Sequence, residues 1–348
     1  MTDAPVERFI REVLPAIPGG FRQVASAPPT HVPLICAAAE ARGLSVRKVG
    51  DTSYFYKGRL AVGGVHKHRI TTMVGKHAIA VCDSKAQTRQ MLEAAGLPTP
   101  RGVALSPDQL DEAFAHARSF GTSVLKPSYG MRGRGITVGI ATDGDLRAAW
   151  EAARRSPVND QPARFVLEEQ IEGIDIRVFV VGRRVAAAAT RVPGHVIGDG
   201  RLTIAALVEL KKQQRDLNAY LVWPLTVDTE YLARAGRTQD DVPAAGEIVL
   251  LNGVANLHLG GENVDVTDLV HPDLLDLAVD STRALPGLNV AGVDLMAPDL
   301  HTVDGAVVLE LNAGANIQMH HSPTYGLERD VSGAIVEEML ASTVQIPV

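Results

Sequence analysis

Two apolar runs, residues 290–296 and 306–311, constrain the fold of this chain more than any other feature. The segment between them, 298–305, carries Pro298, Asp299, Asp304 and Gly305, all turn formers. Short apolar runs joined by such a segment read as two paired strands. A hairpin centred near Thr302 sets Asp294 opposite Glu310. Side chains alternate along a strand, so Glu310 and Asn312 project to one face. Three oxygen donors then converge inside strands that are otherwise apolar. A hard cation such as Mg²⁺, shared with phosphate, takes such a set. An acidic solvent-facing side of an ordinary hairpin has the same residues, so the spacing alone leaves both readings open.

The rest of the chain mixes the two periodicities. Helical patterns occur at 31–42, 83–95, 143–155, 203–217, 272–285 and 331–340. Strand patterns occur at 44–49, 123–125, 135–139, 165–167, 176–181 and 247–251, and Lys57-Gly58-Arg59 reads as a hairpin turn. This mixture predicts an α/β or α+β protein. With 348 residues there is enough chain for two or three cored units. The net charge is −6, so no basic surface for nucleic acid is expected, and any phosphate site must be local. Cys36 and Cys82 make no disulfide framework. No signal-peptide h-region and no apolar run of membrane length is visible, so the expectation is a cytoplasmic protein without a membrane partner.

Two further stretches suit a nucleotide. Val124-Leu125-Lys126-Pro127 ends a strand with a lysine, and the next loop holds Gly130, Gly133 and Gly135. Backbone amides of such a loop can close on an anion. No G-K-[ST] follows, and no helix starts there, so it is neither a Walker A loop nor a dinucleotide fingerprint. A hairpin tip with solubilising arginines has the same composition. Residues 168–177 form an acidic turn with Glu168, Glu169, Ile171 and Asp175, which could face adenine and ribose or simply water.

Several runs recur in a fixed order. They are Asp83-Ser84-Lys85 through Pro98-Thr99-Pro100, Leu125-Lys126-Pro127 with its glycine loop, and Glu168 to Arg177. Next come Arg191-Val192-Pro193 with Gly198-Asp199-Gly200, and Ala255-Asn256-Leu257 with Gly260-Gly261. Asp265-Val266-Thr267-Asp268 before His271-Pro272, Gly292-Val293-Asp294 and Glu310-Leu311-Asn312 complete the series. Over residues 76–345 this order resembles the ATP-grasp superfamily, and within it the modules of cyanophycin synthetase and bifunctional glutathione synthetase.

The resemblance implies an ATP-grasp fold, two lobes clamping ATP behind a small α/β N-terminal domain. The implied limits are 1–82 for that domain, 83–185 for the small lobe with its glycine-rich lid, and 186–348 for the large lobe with the metal site. It implies a ligase that uses ATP and Mg²⁺ (or Mn²⁺), activates a carboxylate as an acyl phosphate and joins it to an amine. The implied product is a dipeptide or related amide built from amino acids. A small-molecule kinase, or a nucleotide-binding protein without turnover, would carry similar motifs. Position by position, Lys85 and Lys126 should meet phosphates, Glu168 the adenine edge with Glu169 and Ile171 nearby, and Asp175 the ribose. Asp294, Glu310 and Asn312 should hold the metal, and Arg177, Arg191 and Arg329 should face the phosphoryl group or a substrate carboxylate. A homo-oligomer is compatible with all of this.

The chain departs from the pattern in two places. Residues 209–216 replace an Asn and Arg-Arg-Gly stretch, and His258-Leu259 replaces Ser-Thr. Both lie where the resemblance puts the acceptor, which makes His258 a substrate candidate. His320 and His321, in the segment after the metal strand, are two more. The cluster His66-Lys67-His68-Arg69 reads as a solvated basic turn.

Overall fold

The computed structural model describes residues 4–130, 135–155, 164–255 and 257–344. Strands β1 (Ser45–Val49), β2 (Thr52–Lys57) and β3 (Leu60–His66) form an antiparallel meander. Helices His31–Ala41 and Val331–Val344 pack against it. A second antiparallel sheet holds β4 (Gly102–Leu105), β5 (Ser123–Pro127), β6 (Thr137–Ile140) and β7 (Phe165–Glu169), in the spatial order β4-β7-β5-β6. Helices Leu110–Phe120 and Asp143–Arg155 cover it. In their shared core Trp150 meets Phe165 edge to face, 4.8 Å between ring centres.

The largest sheet begins with the hairpin β8 (Ile174–Val181) and β9 (Arg184–Val192). The chain then makes a side unit in which β10 (His195–Ile197) pairs with β11 (Ile248–Leu250) over helix Ile204–Asp216. It returns through β12 (Glu262–Asp265), β13 (Val290–Ala297) and β14 (Val307–Asn312). The order is β12-β9-β8-β13-β14, antiparallel throughout. Ile176, Val178, Val293 and Leu295 are fully buried on one face beneath helix Pro272–Arg283. Each such side chain contributes about 1.5–3 kcal/mol by leaving water. The other face is left for polar groups.

All pairings in these sheets are antiparallel, so the class is α+β. β8 belongs to the largest sheet, whereas β7, ending at Glu169, belongs to the four-stranded one. Phe9, Ile35 and Phe55 share one core with Val178, Val293 and Ile335. No helix among the described residues is long and apolar enough to cross a membrane.

Candidate active site

Strand register builds the polar face. Asp294 pairs with Glu310 on one side and Arg177 on the other, as the hairpin argument requires for the first pair. Directly paired side chains have Cβ atoms about 4.5–5.5 Å apart. Asn312 lies one row away, opposite Gly292. In the next row Asp175 pairs with Arg191 on β9. The expected metal residues, Asp175 and two of the three expected arginines therefore share one face.

The face is cross-linked by charge. Asp294, 4% exposed, accepts from Arg177 Nε, from Arg177 Nη2 at 2.8 Å and from Arg191 Nη2 at 3.0 Å. Arg191 also donates to Asp175 at 2.8 Å. Burial favours the neutral acid at Asp294, but the Arg177 and Arg191 guanidiniums outweigh it and hold the carboxyl below its ordinary range. At Asp175 burial prevails, helped by the charge of Asp294, and its pKa is raised although Arg191 opposes this. Repulsion between Asp294 and Glu310 is therefore not what sets Asp294, because guanidiniums neutralise it first. Arg329 stands at the edge of this face, paired with Asp265 at 2.7 Å and Asp268 at 2.6 Å. Asp265 itself pairs with Ala189 in the row of Arg177. The sequence reading gave Asp265 and Asp268 no role; their Asp-x-x-Asp spacing was the available signal.

The small lobe brings the lysines. Ser84 caps helix Lys85–Ala94 by accepting from Gln87 N, and its hydroxyl meets Ser128 Oγ at 3.2 Å. Lys85 N donates to Ser128 O at 2.8 Å, so the helix start is tied to the base of the glycine loop. This places Lys85 Nζ 3.2 Å from Gly130 O and 3.5 Å from Glu310 Oε1. Gly130 (φ 152°) and Gly135 (φ 72°) take backbone angles that favour glycine. Gly133, with the rest of 131–134, lies outside the described residues. Lys126 forms an ion pair with buried Glu168 across β5 and β7. Lys85, Lys126, Val166, Glu168, Val308 and Leu309 line a cleft between the two sheets.

Other candidates sit further off. Glu169 accepts from Arg101 N at 2.9 Å and Arg101 Nε at 2.6 Å, and these bonds lower its pKa against the effect of burial. Ile171 is half-buried in the connector between β7 and β8. His320 is buried with its ring edge-on to Phe179, 5.7 Å between centres, and burial followed by the Arg177 charge pushes its pKa down to about 3. His321 Nε2 accepts from Ser332 N at 3.1 Å, a helix-end contact rather than a site contact. His258 packs edge-on against Trp223, 4.5 Å between ring centres.

A crystal structure of a bifunctional glutathione synthetase from Pasteurella multocida superposes on 90% of the chain with a TM-score of 0.63 and 25% identity, and is itself covered over 43%. The chain has the ATP-grasp fold. Cyanophycin synthetase of Trichormus variabilis is 38% identical to this ATP-grasp chain over 294 residues, 80% of the chain and 32% of the synthetase. The bifunctional glutathione biosynthesis protein of Mannheimia succiniciproducens is 30% identical over 280 residues, 75% of the chain and 36% of that protein. The ATP-grasp chain thus spans about a third of the length of these curated relatives. No family model matches it.

Proposed function

We propose that this chain is an ATP- and Mg²⁺-dependent ligase that activates a carboxylate as an acyl phosphate and couples it to an amine, joining amino acids into a dipeptide or related amide. The observation that carries this reading is Lys85. It stands at the base of the glycine loop and 3.5 Å from Glu310, so one cation links the phosphate side of the cleft to the acidic pair of the opposite sheet. A nucleotide in the cleft would have adenine near Glu168 and the Ile171 connector, ribose toward Asp175, and phosphates on Lys85, Lys126 and the glycine loop.

The donor set fits a hard cation. Asp294, Glu310 and Asn312 offer oxygen ligands at neighbouring strand positions, and the buried Asn312 Nδ2, without a hydrogen-bond partner, is a donor that would suit a phosphate oxygen beside the metal. These three would hold the Mg²⁺, which supplies charge neutralisation among phosphate oxygens. Among the described residues no group of three His, Cys, Asp or Glu side chains is placed to hold a metal ion.

A substrate carboxylate oxygen attacks the γ-phosphorus and ADP leaves. The amine then attacks the acyl carbon, phosphate departs with the attacking oxygen, and the amine loses a proton. Arg177 and Arg191, anchored by Asp294 and Asp175, face the transferred group and stabilise its charge. His320, neutral near pH 7, adds no charge there. The acceptor would be met on the side of His258, which packs against Trp223. The test is a panel of amino-acid pairs scored for amine-dependent ADP release and product mass. Amide of the expected mass supports the ligase. ADP formed without amine, with a phosphorylated small molecule, would replace it with a kinase.

A further inference from the structure

The turn that joins β3 to residue 71 does not behave as a solvated basic tip. Lys67 is exposed and pairs with Asp51 at 2.8 Å, but Arg69 is half-buried. Among the described residues Arg69 is the one non-glycine with positive φ, at 69°. Glycine, asparagine or aspartate fits that conformation at lower cost. Strain of this kind concentrates at ligand clamps, where the side chain is what the position must supply.

The turn also touches the site. A Cβ on Gly314 would meet Ile70 at 3.0 Å and His68 O at 3.2 Å, and Gly314 is two residues past Asn312. Its neighbour Ala315 covers Gly292 beside the Arg177 side chain. His31 Nδ1 accepts from Ile317 N at 3.4 Å in the same loop. Around this junction the buried atoms His31 Nε2, Thr71 Oγ1, Tyr220 Oη and His320 Nε2 have no hydrogen-bond partner. Folded proteins pair such atoms, so several together mark a place for a polar ligand. Burial and then the charge of Arg69 push the His31 pKa down to about 3, and the same charge opposes the burial-driven rise at Tyr220.

We propose that Arg69, on the strained turn that packs against Gly314, binds the carboxylate of an amino-acid substrate and helps determine which substrate is accepted. The identity of that substrate class rests on the ligase reading above. The test titrates the twenty proteinogenic amino acids singly into the full chain preloaded with Mg²⁺ and a non-hydrolysable ATP analogue, for the wild type and Arg69→Gly. Glycine relieves the backbone strain, and thermal unfolding of both proteins checks that the variant is folded. The expected result is at least one amino acid that binds the wild type and binds Arg69→Gly about tenfold or more weakly, the scale of one charge-assisted hydrogen bond. Affinity for the ATP analogue should be unchanged. If Arg69→Gly binds each amino acid as the wild type does, or if no amino acid binds the wild type, the proposal is overturned. Arg69-dependent binding with no amide formed from any pair would instead leave the site standing and remove the ligase.

Discussion

Replacing Asp294 by Asn probes the polar face where its charges are most tightly coupled. From sequence alone Asp294→Asn should leave the fold intact, because a carboxylate facing Glu310 would be relieved of repulsion. The structure reverses the sign. Asp294 receives three bonds from two guanidiniums, and its side chain is only 6% exposed, so solvent screens little of their strength. An asparagine carbonyl can take over one of them, while its amide must face a guanidinium donor against donor. Removing one member of a buried ion pair costs about 3–5 kcal/mol. Arg191 keeps Asp175, so the lower end, about 3 kcal/mol, applies here. This should appear as a fall in Tm of about 4 °C in a thermal-shift assay without nucleotide. Addition of Mg·ATP should raise the wild-type Tm by ligand linkage and leave that of Asp294→Asn nearly unmoved. A variant as stable as the wild type, or more stable, would refute the view that two arginines and not Glu310 govern Asp294.

Two other outcomes follow from the same geometry. Lys126→Ala should lower the Mg·ATP-dependent rate ten- to hundredfold, about 1.5–3 kcal/mol, and should also lower Tm, since Glu168 would remain buried without its cation; an unchanged Tm contradicts the pairing, and full activity contradicts the phosphate role. His31, His195 and His320 are buried with pKa values pushed from 6.5 to about 3, about 4 and about 3. Their folded-state values are depressed, so the unfolded chain binds more protons, and stability is lost as pH falls below about 6.5, by up to about 4 kcal/mol per pH unit for three groups. Calorimetric unfolding at pH 5 in buffers of different ionisation enthalpy should show uptake of about three protons from these groups; a stability flat between pH 6.5 and 5 would contradict it.

The strand pairing that sets Asp294 opposite Glu310 is legible in the sequence because its signals are local. The turn residues between 298 and 305 and the alternation along β14 predict the Asp294–Glu310 pairing that β13 and β14 show. The Ser84 cap and the helix Asp143–Arg155 likewise follow from nearby residues. What sequence hid is non-local. β9 was missed because Ala186 to Ala189 have weak strand propensity, yet the strand lies between β8 and β12 and carries Arg191. Without β9 nothing indicated that Arg191 would reach Asp175 and Asp294, residues 16 and 103 positions away. The roles of Arg69 and Asp265 stayed hidden for the same reason: each depends on a loop or strand hundreds of residues or a whole sheet away.

Activation of a carboxylate by the γ-phosphoryl group of ATP is tested most directly by following the carboxylate oxygen. Once the amino-acid panel identifies the acid, it can be supplied with ¹⁸O in its carboxylate and the phosphate released during turnover examined by ³¹P NMR. The attacking oxygen should leave with phosphorus, so inorganic phosphate carries one ¹⁸O and the nucleotide product is unlabelled ADP. Unlabelled phosphate, or ¹⁸O found in AMP, would contradict the acyl phosphate and the function built on it.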